Sequence, residues 1–361
     1  MNILIFAGGV GTRLWPLSRK NSPKQFEHIV NDKSTLQLAV ARLSPAYKPQ
    51  DMYISTNIQY VPVVQKQLHA VPADHIVGEP EMRDVGPAVG LMTAILMSIG
   101  PKEPMAILWC DHLVKNEALF RTVLQAGENI VRTEPDKIVF LAQKPRFASQ
   151  NLGWIKFGDT VKKQNGISVA SFHGLTYRPA PEDARRFFES GRYAWNLGYF
   201  VTTPAFLWKK FEQTAPDMFE NLTKFKDAWN TSAWEKVLHE TYPKLEKISF
   251  DNVLLEKLDH HEGYVISEDL QWSDVGAWEA LKEAVETSPA ANVTLGNVLV
   301  QDSRDSLVYN YHNKQLVVAI DMDEMLIVNT DDVLLVCKKK SVPKIKDTVN
   351  NLQGTKYEHL A

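Results

Sequence analysis

The fold of this chain is decided by the stretch Ala7-Gly8-Gly9-Val10-Gly11-Thr12-Arg13-Leu14-Trp15-Pro16-Leu17-Ser18-Arg19, which follows the apolar run Ile3-Leu4-Ile5-Phe6. A short apolar run of this kind predicts a buried parallel strand. Three glycines after a strand let the backbone turn sharply and approach a ligand closely. The exposed amides of such a turn suit the anionic oxygens of phosphate groups. Together with Arg13 and Lys24, the turn predicts a site for a nucleotide polyphosphate.

Two familiar glycine motifs do not fit this stretch. A dinucleotide fingerprint needs a small residue three positions after its second glycine, but that position, counted from Gly11, is Leu14. A P-loop needs Lys and then Ser or Thr directly after its last glycine, whereas Gly11 is followed by Thr12 and Arg13. Three glycines alone would also fit a turn that binds no ligand. The longer run, which continues into Pro23-Lys24-Gln25-Phe26, argues against that interpretation.

The composition indicates an ordinary globular protein and excludes several classes of function. The chain has 361 residues, of which 44% are hydrophobic and 23% charged, and its formal net charge is −3. This charge gives no general attraction to nucleic acid or to acidic membranes, so local cations such as Arg19 must meet a polyanionic substrate. The sequence shows no signal peptide and no membrane-spanning stretch, and its two cysteines suit a reducing compartment. We therefore expect a cytoplasmic protein without nucleic-acid or membrane partners.

The pattern of apolar runs predicts an α/β fold. Strand-like and helix-like segments alternate through the first part of the chain, which is typical of a Rossmann-like, mostly parallel sheet flanked by helices. The predicted strands are 2–7, 52–56, 105–110, 137–143 and 194–202, and the predicted helices are 35–43, 61–69, 87–99 and 118–133. In such a sheet, Gly8 and Asp111 both follow strand ends, and ligands bind at that edge.

The pattern of apolar and polar residues changes near Asn292. Short β-rich runs separated by polar turns follow one another and predict a hairpin stack or a parallel β-helix. A terminal amphipathic helix is predicted over 342–352. These patterns predict two domains, a catalytic one over 1–285 and a smaller one over 286–361. A homodimer through the C-terminal β-rich segment is a further expectation, without assigned interface residues.

The glycine-rich stretch resembles the signature of nucleotidyltransferases that make nucleotide sugars, and its Trp-Pro-Leu-Ser-Arg version is similar to the mannose-1-phosphate guanylyltransferase group. Each further block is weak alone, but their order along the chain makes the set specific. These blocks are Glu79-Pro80 with Arg83-Asp84 and Pro87-Ala88, Asp111-His112, Trp195-Asn196-Leu197-Gly198-Tyr199-Phe200, Ser249-Phe250-Asp251 with Glu256-Lys257, and Trp272-Ser273-Asp274-Val275-Gly276-Ala277-Trp278.

This resemblance implies a fold and an activity. The C-terminal domain is expected to be a short left-handed β-helix. The expected reaction transfers GMP from GTP to α-D-mannose 1-phosphate and forms GDP-mannose and pyrophosphate. Two anions must approach each other, so neutralisation of charge and in-line positioning are the main catalytic requirements. Mg²⁺, held by one or two carboxylates with phosphate oxygens and water, is the usual solution.

The resemblance also implies roles for individual residues. Arg13 resembles the arginine that steadies the leaving phosphates, and Lys24 resembles the lysine that bridges the nucleotide and the sugar phosphate. Asp111 and Asp274 stand at the family's metal positions, and no general base is required because the attacking phosphate is already ionised. The predicted catalytic residues are thus Arg13, Lys24, Asp111 and Asp274, with Asp111 and Asp274 as the metal ligands. The predicted nucleotide-binding residues are Ala7, Gly8, Gly9, Gly11, Thr12, Arg13, Glu79, Pro80 and Arg83.

The predicted sugar side departs from the family pattern. Gly153 and Asn196 match positions that contact the sugar. The family then usually carries Glu-Lys-Pro, where this chain has Tyr177-Arg178-Pro179. Arg178 can still hold a phosphate, but a tyrosine cannot accept bonds from two hydroxyls as a carboxylate does. The predicted sugar-phosphate residues are Gly153, Tyr177, Arg178 and Asn196.

Three functions therefore stay open at this point. The first is the GTP-dependent reaction on mannose 1-phosphate. The second is the same reaction on another sugar 1-phosphate, such as a heptose 1-phosphate, or with another nucleoside triphosphate. The third is a non-catalytic nucleotide-sugar-binding regulatory relative. The presence of all four predicted catalytic residues argues against a protein that only binds.

Overall fold

The computed structural model describes residues 1–9, 14–19, 23–30, 33–288, 290–312 and 314–361. Strands and α-helices are numbered in chain order. The strands are β1 (Asn2–Phe6), β2 (His28–Val30), β3 (Lys33–Ser34), β4 (Met52–Asn57), β5 (Ile76–Glu79), β6 (Met105–Trp109), β7 (His112–Val114), β8 (Ile138–Gln143), β9 (Gly153–Gln164), β10 (Ile167–Tyr177), β11 (Tyr193–Thr202), β12 (Gly263–Glu268), β13 (Trp272–Asp274), β14 (Val293–Leu295), β15 (Val298–Gln301), β16 (Leu307–Asn310), β17 (Val317–Ile320), β18 (Met325–Asn329) and β19 (Leu334–Lys338).

The helices include both α-helices and short 3₁₀ segments. The α-helices are α1 (Thr35–Ala41), α2 (Val61–Gln67), α3 (Val85–Ile99), α4 (Glu117–Thr133), α5 (Pro181–Ser190), α6 (Pro204–Thr214), α7 (Pro216–Ala228), α8 (Trp234–Thr241), α9 (Phe250–Val253), α10 (Trp278–Val285) and α11 (Ile345–Asn350). The 3₁₀ segments are Lys24–Phe26, Pro49–Asp51, Ile58–Tyr60, Ala73–His75, Tyr242–Lys244, Leu255–Lys257, His260–Glu262, Lys339–Lys344 and Glu358–Leu360.

The chain forms two compact units, and each is built from separate pieces of sequence. Unit 1 contains Met1–Gly8, Val40–Trp109 and Val114–Gln271. Unit 2 contains Gly9–Ala39, Cys110–Leu113 and Trp272–Ala361. This division by contacts differs from the division at residue 285, which the change to short β-rich runs in the sequence predicts. As a division between a catalytic and a C-terminal domain, the boundary at 285 stays a prediction.

Unit 1 contains a nine-stranded sheet in the order β5-β4-β1-β6-β11-β8-β12-β10-β9. Strand β1 lies between β4 and β6 and is parallel to both, with Phe6 opposite Trp109. The carboxyl ends of β1 and β6 therefore lie at one edge of the sheet, as predicted. Strand β11 runs antiparallel to β6 and β8, while β8 and β12 are parallel. The predicted mixed, mostly parallel Rossmann-like sheet with flanking helices is confirmed.

The core of unit 1 is centred on α3, which is apolar all round. Its residues from Gly86 to Leu96 are buried, as expected for a helix enclosed by other elements. Gly86 allows a close approach, because a Cβ at this position would lie 2.6 Å from the carbonyl oxygen of Ile248. Of the helices in the described ranges, none is long and apolar enough to cross a membrane.

Unit 2 has its own hydrophobic core, which joins early and late parts of the sequence. Leu14, Trp15 and Leu17 pack with residues of α10 and of the C-terminal strands. Trp278 is 1% exposed, and its Nε1 donates a hydrogen bond to the carbonyl of Trp15 at 2.9 Å. The segment around the glycine-rich stretch is thus fixed by the C-terminal part of the chain.

The C-terminal strands of unit 2 form stacked parallel ladders. Strands β14, β16 and β18 pair in parallel, and β15 pairs in parallel with β17. This arrangement is consistent with the predicted β-helix, and its left-handedness stays a prediction. Strand β19 ends the stack because it pairs antiparallel with β18. The predicted terminal helix over 342–352 is shorter in the structure and covers Ile345–Asn350, since Pro343 lies in a preceding 3₁₀ segment.

Candidate active site

Unit 2 brings Lys24 and Asp111 into direct contact. The Nζ atom of Lys24 lies 2.9 Å from Oδ2 of Asp111 and donates a second hydrogen bond to the carbonyl of Val275 at 3.0 Å. The lysine side chain is 8% exposed and the aspartate side chain 34% exposed. Lys24 begins a 3₁₀ segment and Asp111 follows β6, so two residues far apart in sequence form one ion pair.

The charges in this cluster shift the pKa values of both partners. Burial alone would lower the pKa of Lys24, but the negative charges of Asp111 and Asp274 outweigh burial and hold the pKa above its usual value. Burial alone would raise the pKa of Asp111, but Lys24 and then His112 hold it well below its usual range. The pair is therefore ionised at neutral pH.

Asp274 is held close to this pair by strand pairing. It is the last residue of β13, which pairs with β7, the strand that directly follows Asp111. The His112 ring packs edge-on against Trp272, with 5.0 Å between the ring centroids. Two carboxylates in one cluster, one of them with a third of its side chain exposed, fit the oxygen donors that Mg²⁺ uses beside phosphate oxygens and water.

The glycine-rich stretch is described only in part. Gly9 is exposed, and its carbonyl accepts a hydrogen bond from Nε2 of Gln25 at 2.7 Å. A Cβ at Gly9 would meet no described atom within 4 Å, so the backbone is open to a ligand here. The predicted residues Gly11, Thr12 and Arg13 lie outside the described residues, and their roles stay predictions.

Arg19 has a different environment from the one expected of a phosphate-binding cation. Both of its terminal nitrogens donate to the carboxylate of Asp332, at 2.6 and 2.5 Å, and its Nε donates to the carbonyl of Pro16. A bidentate pair of this kind fixes the guanidinium. Arg19 thus connects two segments of unit 2.

In unit 1, a buried carboxylate lies beside the start of the glycine-rich stretch. Glu79, at the end of β5, accepts hydrogen bonds from Ser55 at 2.6 Å and from Tyr242 at 2.7 Å. A Cβ at Gly8 would lie 3.8 Å from Oε1 of Glu79. Ala7 is held to β4, because its amide donates to Ser55 and its carbonyl accepts from Thr56. Ala7, Gly8 and Glu79 are therefore close together, as their predicted shared role requires.

The electrostatics of Glu79 are set by two opposing effects. Burial raises its pKa, and the two hydroxyl donors lower it again but do not compensate fully. Burial and the nearby carboxylate raise the pKa of Tyr242 well above its ordinary value, which keeps the phenol a hydrogen-bond donor. Each carboxylate oxygen keeps acceptor capacity beyond the one bond described. Glu79 is thus oriented in advance for another donor.

We expect the Tyr242→Phe variant to lose more stability at high pH than at low pH. The variant leaves the buried Glu79 with one hydroxyl donor fewer, which costs about 2 to 3 kcal/mol when the carboxylate is charged and about 1 kcal/mol when it is neutral. The native pKa of Glu79 is raised, so its neutral form becomes populated at mildly acidic pH. Urea unfolding at pH 5 and pH 8 measures both costs. Equal losses of unfolding free energy at pH 5 and pH 8 would contradict the role of Tyr242 as a donor to the charged carboxylate of Glu79.

Arg83 lies in the same loop as the predicted nucleotide contacts. Its Nη2 donates to Glu81 at 2.7 Å, while its Nε is buried without a partner among the described residues. The next residue, Asp84, has φ +68° and accepts a hydrogen bond from the amide of Val85, which begins α3. Asp84 thus joins this loop to the start of α3, and Nε of Arg83 remains a buried donor without a partner among the described residues.

Three of the four predicted sugar-side residues lie side by side in unit 1. Gly153 is opposite Tyr177 in the β9–β10 ladder and opposite Asn196 in the β9–β11 ladder. A Cβ at Gly153 would lie 3.2 Å from Cβ of Asn196 and 3.7 Å from the Tyr177 ring, which explains the glycine. Arg178 follows directly, with its guanidinium 5.0 Å from the centroid of the Tyr177 ring.

The direction of Asn196 is set by the turn that follows it. Its Oδ1 accepts a hydrogen bond from the amide of Gly198 at 2.9 Å. Gly198 has φ +71°, and a Cβ there would lie 2.2 Å from Nε1 of Trp109. Only glycine fits this turn without strain. This turn in unit 1 thus explains why the Trp-Asn-Leu-Gly block ends in glycine.

Sequence reasoning missed several partners of these residues. Ser55 and Tyr242 are the donors that orient Glu79, and the carbonyl of Val275 is a second acceptor for Lys24. Ser55 is a polar residue near the end of a predicted buried strand, and it is buried in the structure. A buried hydroxyl needs a hydrogen-bond partner, and this is the one sequence signal that could have found it. Tyr242 and the backbone of Val275 carry no such signal.

Comparison with known proteins gives concordant similarities. Residues 2–290 match the family model described as Nucleotidyl transferase. A mannose-1-phosphate guanylyltransferase of Salmonella muenchen is 29% identical over 362 residues, 99% of this chain and 74% of the relative. The alginate biosynthesis protein AlgA of Pseudomonas syringae pv. tomato is 30% identical over 97% of this chain and 71% of the relative. A solved structure of a mannose-1-phosphate geranyltransferase from Thermus thermophilus has 27% identity and TM-score 0.86, and covers 98% of this chain and 99% of that one.

Proposed function

The chain belongs to the nucleotidyl transferase family as a sugar-phosphate nucleotidyltransferase, and we propose that it transfers GMP from GTP to α-D-mannose 1-phosphate. The products are GDP-mannose and pyrophosphate. The observation that carries the proposal is the similarity, over almost the whole chain, to relatives named mannose-1-phosphate guanylyltransferase. The Lys24–Asp111 ion pair supports it, because the reaction needs a fixed cation beside a carboxylate.

In this proposal, the residues of unit 2 manage the charge of two phosphate groups. Lys24 is a fixed ammonium whose pKa lies above its usual value, so it stays charged when phosphate oxygens approach. A point charge of this kind suits an oxygen that attacks the α-phosphorus. Asp111 and Asp274 would hold Mg²⁺, which when bound supplies neutralisation of the phosphate charge. The sugar phosphate is already ionised, so no side chain needs to accept a proton from it.

The residues of unit 1 would bind the two substrates. Glu79 offers a buried, oriented carboxylate next to Gly8, which suits the adjacent N–H donors of a guanine edge. Gly153, Asn196 and Tyr177 offer a backbone amide, an amide side chain and a phenol to the sugar. Arg178 offers a guanidinium to its phosphate. Each of these roles is part of the proposal.

A second candidate uses the same reaction with another sugar 1-phosphate, such as a heptose 1-phosphate. The observation that favours it is Tyr177, which stands between Gly153 and Arg178 where the resembling family usually has a glutamate. A phenol has one donor and accepts more weakly than a carboxylate. Tyr177 would therefore form different hydrogen bonds with the sugar hydroxyl groups than a glutamate would.

The test is pyrophosphate release with GTP, Mg²⁺ and a panel of sugar 1-phosphates, with ATP, UTP and dTTP as controls. We expect turnover with GTP and mannose 1-phosphate. Release with a different sugar or nucleotide alone would overturn the proposed substrates and keep the reaction type. The Tyr177→Glu variant refines the result. If mannose 1-phosphate is the natural substrate, the KM of the variant for mannose 1-phosphate differs from that of the wild type by less than about 10-fold. If another sugar 1-phosphate is the natural substrate, the variant shifts the ratio of kcat/KM values toward mannose 1-phosphate by more than about 10-fold.

A further inference from the structure

Part of the sheet in unit 1 closes on itself. Strands β11, β8, β12, β10 and β9 follow one another in the sheet, and β9 also pairs with β11. These strands therefore form a ring, in which Tyr193 of β11 lies opposite Lys156 of β9 on the closing side. A ring of this kind is a small β-barrel, and side chains normally fill the space that its strands enclose. The mouth of a β-barrel is a common place for a small-molecule site.

One end of this ring holds a cavity of about 440 Å³. Lys144 directly follows β8, Glu268 ends β12 and Tyr193 begins β11, and all three residues line the cavity. Because β11 runs antiparallel to β8 while β12 runs parallel to it, these positions lie at the same end of the ring. The volume falls within the range of about 300 to 1,000 Å³ that is usual for small-molecule sites.

Small residues leave this end of the ring open. Ser168 and Ala170 of β10 line the cavity from one side, and Ser267 of β12 lines it from another. Gly191, which follows α5, adds no side chain. Val265, two residues before Ser267, also lines the cavity and belongs to the hydrophobic core of unit 1. The core therefore forms the floor of the cavity, and the residues beyond Val265 do not fill it.

Aromatic side chains form part of the wall. Phe157 of β9, Phe188 of α5 and Tyr193 of β11 line the cavity. The Tyr193 ring is stacked on Phe187, with 4.0 Å between the ring centroids, so its orientation is fixed. Phe188 is 40% exposed. The electron-rich face of an aromatic ring attracts C–H groups, and a sugar ring presents such groups on its apolar side.

The polar side chains of the lining carry no net charge. Thr160, Ser168 and Ser267 offer hydroxyl groups, each of which can donate and accept a hydrogen bond. The charged residues of the lining are Lys144 and Glu268, and their Nζ and Oε2 atoms lie 2.9 Å apart. Because this lysine is already paired with a carboxylate, the cavity suits an uncharged ligand better than a nucleotide or a sugar phosphate.

The cavity is separate from the predicted sugar-phosphate residues of unit 1. Its lining does not include Gly153, Tyr177, Arg178 or Asn196. Gly153 and Phe157 lie on the same strand, β9, and the four residue steps between them correspond to about 13 Å. The cavity and the candidate sugar site therefore share strands but no residues.

We propose that this cavity binds an uncharged saccharide. Sugar rings lie against the faces of Phe157, Phe188 and Tyr193. Their hydroxyl groups exchange hydrogen bonds with Ser168 and Ser267, and the ion pair at the rim supplies one further donor and one further acceptor. A saccharide combines apolar ring faces with many hydroxyl groups and no charge, which is the combination that this lining offers. The ligand is not a substrate of the proposed reaction, because it carries no phosphate.

An NMR titration of the whole chain with neutral trisaccharides of mannose, glucose and galactose tests this site. We expect at least one of them to bind with a Kd of about 1 mM or lower. Excess GTP should leave that Kd unchanged. A saccharide that GTP displaces would bind at the candidate active site, and this result would overturn the proposal. Absence of binding across the panel would overturn it as well.

Two variants locate the bound saccharide. Ser267→Phe places a ring inside the cavity, and Phe188→Ala removes an exposed aromatic wall. We expect each to raise the saccharide Kd by about 10-fold or more. The matched control is Tyr357→Ala, because Tyr357 is 48% exposed and belongs to unit 2. This control should keep the wild-type Kd.

Thermal unfolding followed by circular dichroism shows whether each variant is folded, and Phe188 is exposed enough for its loss to leave the core intact. If either folded variant kept the wild-type Kd, the saccharide would bind elsewhere and the proposal would be wrong. These measurements need no turnover. Failure of the proposed reaction would therefore leave this test intact.

Discussion

The Asp111→Asn variant is expected to lower kcat by at least about 10³-fold, because it removes the negative charge of a carboxylate with two proposed roles. The carboxylate is the ion-pair partner of Lys24 at 2.9 Å and one of the two proposed ligands of Mg²⁺. Asparagine keeps the size and one oxygen but cannot neutralise a cation. GTP should still bind measurably, since the proposed contacts to the guanine base lie on other residues. Steady-state pyrophosphate release, with GTP binding measured by calorimetry, gives both quantities.

A matched control shows whether the loss is specific. Asp136 is 77% exposed and lies 3.7 Å from the ammonium of Lys137, so Asp136→Asn makes the same chemical change outside the candidate site. Its kcat should stay within about twofold of the wild type, as surface substitutions rarely act at a distance. If Asp111→Asn retained kcat within tenfold of the wild type, Asp111 would not be a metal ligand.

Lys24→Met is expected to lower kcat by about 10² to 10³-fold while KM for GTP changes much less. Methionine keeps the length of the side chain in a position that is 8% exposed, but it removes the cation proposed to join the two phosphate groups. The interaction is needed most when the attacking oxygen approaches the α-phosphorus. The effect therefore falls on turnover rather than on binding. Unchanged kcat would remove the bridging role.

The activity of the same variant should depend on pH more steeply than that of the wild type. Lys24 is the strongest favourable influence on the low pKa of Asp111, and burial acts in the opposite direction. Without Lys24 the pKa of Asp111 rises, so a larger fraction of this carboxylate is protonated as the pH falls. Residual activity should therefore fall with decreasing pH more steeply than the activity of the wild type. A pH profile of kcat between 5 and 8 measures this difference.

Lys210→Met is the control for loss of a buried lysine. Lys210 is 9% exposed and pairs with Glu262 at 2.5 Å in unit 1, so its removal also leaves a carboxylate without its cation. We expect a loss of stability from both lysine variants and a loss of turnover from Lys24→Met alone. Equal losses of turnover would mean that destabilisation explains the effect of Lys24→Met.

The sequence predicted the strands that consist of continuous apolar residues. Strands β1, β4, β6 and β8 are buried on both faces, so their composition alone marks them. The direction of β11 could not be predicted, because an apolar run looks the same in a parallel and an antiparallel pair. Strands β9 and β10 were missed, since they are long and partly exposed, and their many polar residues are typical of loops. β5 was missed because four residues are too short for a pattern.

The candidate residues of unit 2 and those of unit 1 were predictable to different degrees. Lys24 and Asp111 carried enough local signal to be chosen, one by its Pro-Lys-Gln-Phe context and the other by a charge that ends an apolar run. Their contact could not be read from the sequence, because it depends on how distant segments fold together. Tyr242 was missed for the same reason. Its hydrogen bond to Glu79 joins residues 163 positions apart.

The discontinuous make-up of unit 2 has a consequence for how this chain emerges from the ribosome. The segment Gly9–Ala39 is synthesised before Trp272–Ala361, yet the two segments pack together. The Nε1 of Trp15 donates to the carbonyl of Leu360. At typical translation speeds the early segment waits roughly 10 to 70 s for these partners. During that time its apolar residues Leu14, Trp15 and Leu17 lack their partners in the C-terminal segment, so they are a place where a chaperone can bind.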